Sequence, residues 1–167
     1  MKKLFFLSIP LLVASGPDNT TIKKQAAEIC KCYLDAYTST SDTAYTEMQA
    51  CETKNNEYIE TFISQKNDTE LTPGGIFFLE NLSECLLKVP DIGEEAKKVC
   101  DCAINTAQSE PSKLKEKCSP IINQGVAKYE NDSLKALLYQ NTSINCMLTS
   151  PAVHKAMNPT PPPSTTN

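Results

Sequence analysis

Residues 28–37 read EICKCYLDAY, and residues 98–107 read KVCDCAINTA. Each stretch sets a C-x-C pair inside a run whose apolar residues recur at helical spacing. The first stripe is Ile22, Ala26, Ile29, Cys30, Tyr33 and Tyr37; the second is Ala96, Val99, Cys100, Ala103, Ile104 and Ala107. Apolar residues three and four apart define one face of an α-helix. Cys30 and Cys100 lie on those faces. Cys32 and Cys102, two residues on, fall about 160° away around the helix. Two thiols so placed cannot bridge each other, because their Cβ vectors diverge. Each C-x-C helix is therefore expected to reach two different partners.

The remaining cysteines extend the likeness. The first set is Cys30, Cys32, Cys51 and Cys85; the second is Cys100, Cys102, Cys118 and Cys146. Their spacings are C-x-C-x18-C-x33-C and C-x-C-x15-C-x27-C. ENLSECLL around Cys85 also parallels NTSINCML around Cys146. Such self-similarity reads as a duplicated unit. The expected fold is all-α: two tandem three-helix repeats, each stapled by two disulfides. Counting outward from the turn near Glu110 sets Cys102 beside Cys118. Repeat logic then sets Cys32 beside Cys51 and leaves Cys30 for Cys85 and Cys100 for Cys146. Exchanging the partners within each set satisfies nearly the same constraints, so both connectivities stay open.

The flanks set the boundaries. Residues 1–16, MKKLFFLSIPLLVASG, have two lysines, an apolar run and small residues, the order of a secretory signal peptide. Leu12-Val13-Ala14-Ser15 resembles the stretch before the acylated cysteine of bacterial lipoproteins, with Gly16 where the thiol would stand. A soluble mature chain without a transmembrane segment, secreted or periplasmic, is expected. Residues 17–90 form the first repeat, 91–150 the second, and 151–167 a disordered Pro/Thr-rich tail. A second helix is expected from Asp42, as N-cap, to Lys66. Pro73-Gly74-Gly75 reads as a break, and Pro120 as a kink or restart in a helix over 111–130. No stretch alternates as a strand does.

Composition narrows the chemistry. The net charge is −4, and all 16 basic residues are lysine. The basic footprint of a nucleic-acid binder is missing. The sole histidine, His154, lies in the expected tail, so no catalytic set resembling a triad is expected. Neither a cofactor nor a metal site is assigned. An even cysteine count in an exported chain points to disulfides; the alternative is a periplasmic copper- or zinc-binding protein using C-x-C thiolates. Asn19, Asn67, Asn81, Asn131 and Asn141 begin N-x-S/T sequons, which matter only in a eukaryotic secretory route. The short lysine-led leader suits a bacterial one. The chain reads as a non-enzymatic binding or interaction module, its partner a protein or other envelope component. A small carrier of an apolar ligand, held between the repeats against Phe77 and Phe78, is the second reading.

Overall fold

A computed structural model describes residues 18–64 and 67–157, so the leader over 1–16 and residues 158–167 lie outside the described residues. The chain is all-α. Helices α1 (Asn19–Thr38), α2 (Ala44–Thr61) and α3 (Pro73–Leu86) form the first half. Helices α4 (Ile92–Ser109), α5 (Leu114–Lys128), α6 (Ser133–Met147) and α7 (Pro151–Met157) follow.

Local chemistry fixes the helix ends. Asp18 caps α1, its carboxylate accepting the Thr21 N–H at 2.8 Å. Asp132 caps α6 by accepting the Lys135 N–H at 3.0 Å. Each cap satisfies a backbone donor that has no partner within its helix. α2 starts later than its sequence suggests. Thr43, not Asp42, precedes its first turn, and the Thr43 hydroxyl donates to Glu47 Oε1 at 2.6 Å.

α2 also stops at Thr61, short of Lys66. The chain then forms two short antiparallel strands, β1 (Ile63–Ser64) and β2 (Asn67–Leu71), where no strand was expected. Pro73-Gly74-Gly75 opens α3 instead of separating helices. Proline at the first helical position gives up an N–H that would be orphaned anyway. The Thr72 hydroxyl caps the turn by accepting the Gly75 N–H at 3.3 Å. A Cβ on Gly75 would lie 2.7 Å from the Phe62 Cβ, so glycine lets α3 meet the chain leaving α2.

α5 runs through Pro120 as one helix, preceded by a 3-10 turn at Pro111–Lys113, rather than restarting at the proline. Pro120 and Glu116 are both exposed, so the helical hydrogen bond that the ring removes lies on the wet side. The tail expected from residue 151 is helical at its start. α7 buries Val153 against Ala103 and Ala107 of α4, and its His154 N–H donates to the Ser150 carbonyl at 3.1 Å.

The two halves share one core. Ile29, Tyr33, Phe78 and Leu82 of the first half join Val99, Leu138 and Tyr139 of the second in one buried cluster. α6 packs on α2 and α3 as well as on α4. The halves are thus welded across α6, and a small second cluster, Ala103, Ala107 and Val153, lies apart from the shared core under α7. The linker between them turns at Asp91, whose φ of 65° is the one positive value at a non-glycine residue among those described. The Tyr129 hydroxyl donates to the Asp91 carbonyl at 3.1 Å and braces that turn.

Candidate functional site

All eight cysteines are bridged. Cys30 joins Cys85 and ties α1 to α3; Cys32 joins Cys51 and ties α1 to α2. In the second half Cys100 joins Cys146 and ties α4 to α6, while Cys102 joins Cys118 and ties α4 to α5. The Cα separations run from 5.7 to 6.3 Å. The angular offset within C-x-C explains the arrangement: one helix reaches a neighbour on each of two flanks. The copper or zinc reading needs thiolates, and every sulfur is committed to a bridge. Among the described residues no group of three His, Cys, Asp or Glu side chains is placed to hold a metal ion.

The site imagined between the halves is filled. Phe78 is fully buried, with its ring 5.8 Å from Tyr58 and 5.7 Å from Phe62 between centroids. Phe77 is half-buried against the same core. Nearer α6 the contact becomes polar. The Tyr33 hydroxyl donates to Asn141 Oδ1 at 3.2 Å, and Asn55 Nδ2 donates to Asn145 Oδ1 at 3.1 Å. These buried side chains fix α6 in register against α1 and α2. Burial, reinforced by the Glu52 charge, holds the Tyr33 phenol far above its usual pKa. Asn141 belongs to this contact, so its sequon is not at the surface; Asn19 and Asn131 are exposed.

Open space is found in the second half. A cleft of about 1070 Å³ runs between α4, the start of α5, the end of α6 and α7. Ala103 and Ala107 form its floor, and Leu114, Ile122, Met147 and Met157 supply much of its wall. The polar side chains reaching it are Ser112, Ser119, Lys115 and Lys155. His154 is not in the expected tail but on α7, with Nε2 2.9 Å from the Leu148 carbonyl oxygen.

The two C-x-C helices differ in sequence where the cleft lies. Superposing Cys30 on Cys100 in sequence sets Tyr33 against Ala103 and Tyr37 against Ala107. Tyr33 is fully buried and reaches across to α6, where its hydroxyl meets Asn141. At the matching positions α4 carries only methyl groups, and α7 stands over them. The signal was present in the two stretches, in the residues that differ. No family model, curated protein or solved structure matches the chain.

Proposed function

We propose that this is an exported, non-enzymatic binding protein that holds an apolar ligand in the cleft between α4, α5 and α7. The cleft itself carries the reading. Its size is near the upper end of the range for small-molecule sites, and such sites are mostly apolar with a few placed polar groups. Four disulfides give the rigid frame such a site needs and fit an oxidising compartment. Among the described residues no helix is long and apolar enough to cross a membrane. The interaction-module reading thereby narrows to a small-molecule binder, and the carrier's site moves from the α3 aromatics to the second half.

The test is a titration of the oxidised protein with the uncharged dye N-phenyl-1-naphthylamine, read by fluorescence. Saturable binding of one dye per chain is expected. Ala156→Trp, which places an indole at the half-buried edge of the cleft, should weaken it at least tenfold with the far-UV spectrum unchanged. Absence of saturable binding, or an unaffected tryptophan variant, would overturn the proposal.

A further inference from the structure

The cleft has a charged mouth on an otherwise acidic protein. Lys115, in the first turn of α5, and Lys155, in α7, both line it and both are exposed. No acidic side chain lines the cleft. The neighbouring lysines share one carboxylate: Lys113 pairs with Glu110 at 2.9 Å, and Lys117 pairs with its other oxygen. Glu110 is thus occupied from two sides, its carboxyl held below the usual range by hydrogen bonds from Lys117 and Lys113. Lys115 and Lys155 make no ion pair among the described residues. Two uncompensated cations therefore face an apolar trough, in a chain whose net charge is −4.

From this charge pattern we infer that the ligand is a free single-chain amphiphile with an anionic head, such as a fatty acid, lying with its chain along Ala103 and Ala107 and its head between Lys115 and Lys155. The inference rests on the proposed cleft site and adds the class of ligand. An alkyl tail matches the methyl floor and the Leu, Ile and Met walls, since removal of apolar surface from water drives such binding. The mouth then selects charge. Exposed cations hold an anion weakly and in a salt-dependent way, which suits reversible carriage.

The experiment displaces the neutral dye with fatty acids from decanoate to palmitate and with the matching alcohols. Each added methylene should tighten binding about fourfold until the chain outgrows the cleft. At low salt the acid should outcompete its alcohol by about three- to tenfold, and high salt should remove that preference. The variant Lys115→Gln with Lys155→Gln should lose the preference for acid over alcohol, read as the ratio of the two affinities within that variant. Equal affinity for acid and alcohol, with the dye still bound, would overturn the anionic ligand and leave the cleft site standing. Failure of dye, acid and alcohol alike would overturn both. Binding to vesicles of anionic phospholipid that needs the two lysines, without binding of free fatty acid, would overturn the inference in favour of a membrane surface. A tenfold gain in dye affinity on deleting residues 158–167 would assign the cleft to the chain's own C-terminal segment and likewise overturn it.

Discussion

Replacing Tyr33 by Phe tests the polar contact that locks α6 to the first half. The ring is fully buried, and its hydroxyl donates to Asn141 Oδ1 at 3.2 Å. Asn141 is itself buried, and its Nδ2 is already engaged with the Leu137 carbonyl at 3.0 Å. The substitution leaves Oδ1 without that donor, in a place where a buried unsatisfied acceptor costs about 1–3 kcal/mol. Urea unfolding of the oxidised protein at pH 7 should show a loss of about 2 kcal/mol. Asn141→Leu should cost a similar amount by removing the phenol's acceptor. The double variant should recover part of the loss, because two apolar partners leave nothing unpaired.

The same phenol makes the effect reverse in alkali. Burial, with the Glu52 charge behind it, raises the folded-state pKa of Tyr33 far above its ordinary value. The unfolded chain therefore gives up this proton first. The contribution of Tyr33 is intact below about pH 10 and falls above it by about 1.4 kcal/mol per pH unit. Tyr139 and Tyr129 are also raised by burial, and the Phe variant keeps their share of the slope. Wild type starts about 2 kcal/mol ahead, so the two stability curves should cross near pH 11.5, roughly one and a half units above the free phenol value. No free cysteine is present to shuffle bridges in that range. Parallel curves from pH 9 to 12, or a neutral-pH loss under about 0.5 kcal/mol, would refute the reasoning.

Other substitutions probe the frame. Cys102→Ala with Cys118→Ala opens a loop of sequence separation 16 and should cost about 3 kcal/mol by denaturant unfolding, against about 4 for the Cys100 and Cys146 pair at separation 46. Gly93→Ala drives a Cβ into the Leu87 carbonyl, whereas Gly125→Ala drives one into the Tyr139 ring. Main chain yields less than a side chain, so thermal melts should place Gly93→Ala below Gly125→Ala, and the latter about 1–3 kcal/mol below wild type. Asp132→Ala removes the α6 cap and should cost about 1 kcal/mol in urea. Intact mass of the natively produced protein should lie eight hydrogens below the sum for free thiols, since all eight cysteines are bridged.

The helices were legible because their burial is periodic: Ile22, Ala26, Ile29 and Tyr33 recur at the spacing that one face requires, and the same positions are buried. The elements that sequence misjudged depend on distant partners. Residues 151–157 have the composition of a tail, yet α7 forms because Val153 meets Ala103 and Ala107, far away in the chain. The hairpin after Phe62 has no alternating pattern, and the Thr72 N–H donating to the Phe62 carbonyl at 2.8 Å holds the ends of its loop together. Pro73 reads as a breaker until its position relative to the Thr72 cap is known. Phe77 and Phe78 carried only the second reading, a carrier, and Phe78 is core. Aromatic residues suggest a ligand, but a buried ring beside two others is more economically a core.

A cleft is an absence of side chain, and composition does not register absences. The first half spends two tyrosines, Tyr33 and Tyr37, where the second has Ala103 and Ala107. Losing a buried aromatic side chain costs about 3–5 kcal/mol when nothing refills the space. In the second half the space is refilled only in part, by the short α7, and the remainder opens to solvent as the cleft. The bridges Cys100–Cys146 and Cys102–Cys118 act on the same helix, α4, and together contribute stabilisation of the same order as that loss. They do so without occupying the space that a larger residue would take, although Cys118 borders it. Both halves are stapled alike by two bridges, so the cleft goes with the methyl floor of Ala103 and Ala107 rather than with the bridges, while the first half keeps its aromatic filling and its polar lock on α6.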